Sequence, residues 1–90
     1  MSEVLMRREV AFDVHDARGL TTHVVSCPDA PTLTASGCAI KVAAGINYIY
    51  QLYLEEEGTT PDRQIGDSHA VVFPEGRRLT FFAVPPAHGG

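Results

Sequence analysis

The sequence predicts an α+β domain, one helix packed across a mixed sheet, in the order strand, strand, helix, strand, short strand, strand. Three observations lead there. Val10, Phe12 and Val14 alternate with Ala11, Asp13 and His15, the period of a half-buried strand. A helix-compatible stretch in the middle of the chain meets a natural stop at Gly45. Leu79 to Val84 is apolar and rich in aromatic and β-branched residues, which suits a buried strand.

Taken in order, the first strand runs into the turn Asp16-Ala17-Arg18-Gly19, where Asp16 can bond the following backbone and Gly19 can take a left-handed conformation. Leu20 to Cys27 forms the second strand of this hairpin. One register places Leu20, Thr22 and Val24 on a shared face, and Val25 leaves open the register one residue away, which would turn every side chain over. Pro28 has no N–H for a ladder and closes the strand.

Cys27 to Pro31 is a connection, and Thr32 or Thr34 can cap a helix over Ala35–Ala44. Ala39, Val42, Ile46, Ile49 and Tyr53 keep a spacing that would carry the helix on to Glu57. That longer helix would set Glu55, Glu56 and Glu57 at the negative end of its dipole, so the helix is expected to stop at Gly45. Ile46 to Leu54 then reads as a buried strand, with Tyr48, Tyr50 and Tyr53 as packing residues and not ligand-stacking ones. Gly58 to Arg63 is a loop, and Gln64 to Asp67 a short turn held by one buried isoleucine. Ala70 to Phe73 is a brief strand, Pro74-Glu75-Gly76 a turn, and Arg77 and Arg78 lead into the last strand.

Ninety residues, 44% hydrophobic and 20% charged, describe one small folded domain. The net charge is −4, Lys41 is the only lysine, and no basic block exceeds Arg7-Arg8 or Arg77-Arg78, so no nucleic-acid partner is expected. Those arginine pairs, like Glu55-Glu56-Glu57, read first as solvated surface. Cys27 and Cys38 lie in no closely spaced Cys/His set; both are expected to be buried structural thiols, with no metal site. Met1 to Glu9 carries too many charges for a signal peptide. The longest uncharged run, Val42 to Leu54, has 13 residues, short of a membrane helix. The expected location is the cytoplasm, with no membrane partner.

The chain past Val84 carries the functional signal. Pro85 and Pro86 cannot donate to a ladder and favour an extended path, so the chain should leave the domain straight. This divides it into a domain over 1–86 and a flexible tail over 87–90, Ala87-His88-Gly89-Gly90. Without Cβ atoms, Gly89 and Gly90 can thread a narrow crevice and bring a carboxylate to a partner enzyme. Activation as an acyl-adenylate with ATP, then capture on a thiolate or a sulfur donor, is the chemistry such an end suits.

Downstream of the hairpin, a set of residues looks like the bacterial multi-ubiquitin domain family: Thr34 with Ala39-Ile40, Ala44-Gly45-Ile46, Tyr50 to Glu55, Gly58, Asp62 to Ile65 with Asp67, Gly76, and Phe81-Phe82 with Pro85. The resemblance spans residues 32–90 and touches the hairpin only in outline. It implies a ubiquitin-like β-grasp fold (ββαβββ), with the first and last strands side by side at the centre of the sheet. It also implies a protein modifier and not an enzyme. Gly90 would be the point of covalent attachment, with Gly89, His88, Ala87 and Pro86 as the tail held by the activating enzyme. The implied partners are an E1-like activating enzyme, which uses ATP, an E2-like conjugating enzyme, a JAB-type isopeptidase and target amines. The chain needs no catalytic residue and no cofactor of its own. Members of that family often carry tandem domains, whereas this sequence holds one; Gly90 reads as an encoded end that needs no trimming.

Two other readings stay open. Phe81 to Gly90 is similar to the ends of sulfur carriers of the molybdopterin and thiamin pathways, which turn the same adenylate into a thiocarboxylate. A noncovalent or self-associating domain needs no activation, since an exposed strand edge can pair with another copy.

Overall fold

The computed structural model describes residues 6–56 and 62–86. The hairpin forms as its alternation dictates: β1 (Arg7–Asp16) and β2 (Gly19–Pro28) pair antiparallel through an unbroken register from Arg7 opposite Pro28 to Asp16 opposite Gly19. Gly19 takes a φ of 105°, which makes the tight turn possible. Val25 and Cys27 face the core, whereas Leu20 and Val24 are 58% and 52% exposed. The pairing of Val25 with Val10, which turns Val25 and Cys27 to the core and Leu20 and Val24 outward, settles the register that the sequence left open.

A strand precedes the helix. Leu33–Ser36 is β3, paired antiparallel with β6 (Ala70–Phe73) in a separate two-stranded sheet. The helix α1 therefore begins later than expected, at Gly37, and runs to Ala44. Its cap is Ser36, not Thr32 or Thr34: the Ser36 hydroxyl accepts the Ala39 N–H at 3.1 Å. Thr34 is committed to the β3 ladder opposite Val72. Gly45 ends the helix with φ 69°, while the Ile46 N–H reaches Lys41 O and the Gly45 N–H reaches Val42 O, a closure that satisfies carbonyls of the last turn.

Beyond the helix only Gln51–Leu54 (β4) is strand. Ile46 to Tyr50 turns instead, with the Asn47 side chain accepting the Ile49 N–H and its carbonyl the Tyr50 N–H. Tyr48 is consequently 79% exposed rather than packed in a strand, while Tyr50 stays against the core. The expected turn at Gln64 is strand β5 (Arg63–Ile65), with Ile65 buried as anticipated. Pro74–Gly76 is a single 3₁₀ turn in which Glu75 (φ 52°) and Gly76 (φ 69°) both adopt positive φ. β7 (Leu79–Val84) follows.

The main sheet has the order β2-β1-β7-β4-β5, with β1 and β7 parallel and the other neighbours antiparallel. The expected place of Ala70–Phe73 in this sheet is thus taken by β5, because β6 finds its partner in β3. One cluster fills the space between sheet and helix: Phe12, Val14, Leu52 and Phe81 from the main sheet, Leu33 and Phe73 from the small one, Ile40 and Ala44 from α1. Phe12 and Phe81 meet edge to face at 5.8 Å between neighbouring strands. Each such fully buried side chain contributes about 1.5–3 kcal/mol, and the Phe12–Phe81 contact ties the strands β1 and β7, far apart in the sequence, to each other. Among the described residues no helix is long and apolar enough to cross a membrane.

Candidate functional site

The expected attachment residue Gly90 and the tail residues Gly89, His88 and Ala87 lie outside the described residues; Pro86 lies within them. What the fold defines is where that tail departs. β7 is flanked on both sides as far as Phe82, which has His15 on one side and Tyr53 on the other; Ala83 and Val84 keep only the β4 side, opposite Leu52 and Gln51. After Val84 the chain leaves regular structure, Pro85 exposed and Pro86 half-buried. Because β1 and β7 are parallel, this exit lies at the same end of the sheet as the Asp16–Gly19 turn.

Two surfaces meet at that end. The first is a cleft of about 290 Å³ between Asp16–Arg18, Gly45–Asn47, Tyr50 and Ala83. Its rim is fixed by local bonds. The Asp16 carboxylate accepts the Arg18 backbone N–H at 2.8 Å and the Arg18 guanidinium at 2.8 and 3.2 Å. That guanidinium, and then the backbone N–H, hold the Asp16 carboxyl below its ordinary range; the pairing raises Arg18 in turn. Arg18 and Asp16, the charged residues lining the cleft, are thus paired with each other.

The second surface is the sheet face opposite the helix. Leu20, His15, Phe82, Tyr53 and Gln64 stand in one row across all five strands, each paired in register with the next. His15 and Phe82 stack in the middle of it, and the Tyr53 hydroxyl donates to Gln51 Oε1 at 2.8 Å. Sequence reasoning left this row unassigned, yet Phe81-Phe82 contained the signal. Consecutive residues of a strand point to opposite faces, so one ring of that pair has to leave the core.

The remaining singled-out residues are dispersed. Cys27 is buried and burial pushes its thiol up, but Cys38 is exposed, contrary to expectation, because it stands on the outward side of the first helical turn. Arg78 lies 3.7 Å from Asp13 at the entry end of β7, away from the tail exit, and Arg77 is exposed beside it. Lys41 was missed as a structural residue: it is buried, 2.9 Å from Asp67. Its place within Ala39-Ile40-Lys41-Val42-Ala43-Ala44, an otherwise apolar run, was the available hint.

Compared with family models, curated proteins and solved structures, the chain matches none. The reading of function therefore rests on the residues and on the way the fold delivers them.

Proposed function

We propose that the chain is a ubiquitin-like β-grasp modifier that works in the cytoplasm. In this reading the Gly90 carboxylate attacks the α-phosphate of ATP on an E1-like enzyme and displaces pyrophosphate. A cysteine thiolate then takes the acyl group and releases AMP, and the thioester passes to an E2-like enzyme. A target amine attacks the thioester carbonyl, expels the thiolate and loses a proton to leave an amide. A JAB-type isopeptidase would reverse the attachment by hydrolysis. The chain supplies binding and presentation, and the reacting enzymes supply the catalytic groups.

The observation that carries the reading is the position of β7. It is parallel to β1, hydrogen-bonded on both sides, and releases the chain at Pro85-Pro86 next to the cleft and the aromatic row. A tail anchored on a rigid central strand is presented at a fixed point, and a partner that docks on the adjacent surfaces meets the carboxylate at a defined reach. The proposal holds whether Gly90 ends the translated chain or is exposed by trimming. Its test is recovery of N-terminally tagged protein from its source cells under denaturing conditions. Species heavier by the mass of a target should accompany the complete chain and vanish for a variant lacking Gly90. Equal patterns for both would sink the reading.

A second reading, self-association, draws on one specific feature. The edge strand β2 runs ten residues without an Asp, Glu, Lys or Arg and without a bulge, so it lacks the usual protection of a sheet edge. Sedimentation at rising concentration separates the two, since edge pairing predicts a dimer that Val24→Lys weakens.

A further inference from the structure

Lys41 is the only lysine in the sequence, and it stands inside the fold, 7% exposed. Its Nζ donates to Asp67 Oδ1 at 2.9 Å and to the Tyr48 carbonyl at 3.2 Å. The first bond ties α1 to the segment before β6, where the Cys38 N–H also reaches the Asp67 carbonyl. The second ties it to the turn that follows Gly45. The ε-amine is thus built into the packing of three segments. Val42, the next residue of the same helix, is 75% exposed, so α1 has an open position that a lysine could occupy and does not.

We propose that the fold withholds its one side-chain amine from acylation, which makes the chain a donor to amines of other proteins and not a lysine acceptor for a second copy of itself. The consequence for conjugation rests on the modifier reading; the withheld amine is a property of the folded chain alone. For an amide to form at Lys41, the nitrogen would have to leave Asp67 and Tyr48 and attack the thioester carbonyl carbon as a free amine. It would then expel the thiolate and give up a proton. The product is a neutral amide with a single N–H, so Asp67 would lose its cation and only one of the two bonds to Asp67 and Tyr48 could be kept. Nζ is covered although its partner Asp67 is 58% exposed, so a protein-sized acyl carrier cannot reach it in the folded packing and reaction has to wait for local opening. Chains of this protein linked through its own lysine are therefore disfavoured by the fold itself.

The test is acetylation of the purified, folded Val42→Lys variant with an N-hydroxysuccinimide ester, followed by peptide mapping. The amine introduced at position 42 provides an internal reference on the same helix. It should react at least about tenfold faster than Lys41, as expected when one site is open and the other needs local opening. The two rates should converge in denaturant, and Asp67→Asn should speed Lys41. Equal rates in the folded protein would overturn the proposal. So would conjugates from source cells in which the Leu79–Gly90 branch sits on Lys41 of a second copy. A complete lack of conjugates would instead count against the modifier reading, while the rate comparison would still decide whether the amine is withheld.

Discussion

The imidazole of His15 lies face to face with the ring of Phe82, centroids 4.9 Å apart and planes 13° from parallel. The two sit opposite one another on the parallel strands β1 and β7, on the open face of the sheet, two positions before the last residue of β7. The first strand of the chain thus grips the last one close to the point where the tail departs. A double-mutant cycle with His15→Ala and Phe82→Ala should give a coupling of roughly 0.5–1 kcal/mol in unfolding free energy. Additive losses would mean that the stack is incidental.

The Asp16–Arg18 pair predicts an acid-side effect. Its folded carboxyl is held low by the guanidinium and the backbone N–H, so the pairing stabilises the fold above the ordinary carboxylate range. That contribution fades as pH falls through the lowered folded value. In a carbon-13 titration Asp16 should report a midpoint below an ordinary aspartate, and Arg18→Ala should move it upward. An unchanged midpoint in that variant would contradict the assignment of cause.

The two cysteines should separate chemically. Burial disfavours the Cys27 thiolate, whereas Cys38 is exposed on α1. One equivalent of iodoacetamide on the folded protein should therefore label Cys38 and spare Cys27, with both labelled in denaturant. Comparable labelling in the folded state would contradict the burial of Cys27.

Two glycines of the helix carry different constraints. A Cβ on Gly37 would collide with the Gly66 carbonyl oxygen, so Gly37→Ala forces backbone apart and should cost about 1–3 kcal/mol. Gly45 has open space around it and a left-handed backbone, so Gly45→Ala should cost only about 1–2 kcal/mol of conformational strain. Thermal unfolding should show Gly37→Ala as the more destabilised of the two, and an equal or smaller loss than for Gly45→Ala would contradict the close approach to Gly66.

These features also mark what sequence could and could not convey. The hairpin, the stop at Gly45, the strand at Ala70 and the last strand were legible because alternation, a left-handed cap and β-branched bulk are local signals. The strand before the helix was not. Leu33–Ser36 is strand only because Ala70–Phe73 pairs with it from across the chain, and that pairing moved the cap from Thr34 to Ser36. Arg63–Ile65 likewise becomes strand through β4, and Ile46–Tyr50 loses its bulk-driven strand character to the bonds that Asn47 makes. Of the proposed site, the diglycine was legible at once. The surfaces beside its exit were not, because which face Phe82, Tyr53 and Leu20 occupy depends on a register fixed by distant partners.

The central claim is that Gly90 is an acyl donor, and mass spectrometry of the C-terminal peptide tests it most directly. Tagged protein from source cells, digested with trypsin, is cut last after Arg78, so a modifier leaves Leu79–Gly90 as a branch on a target amine. The account predicts that branch, and its loss when Gly90 is removed. A terminus found only as free carboxylate while the partner enzymes are expressed, or one carrying sulfur in place of an oxygen and never joined to an amine, would contradict it.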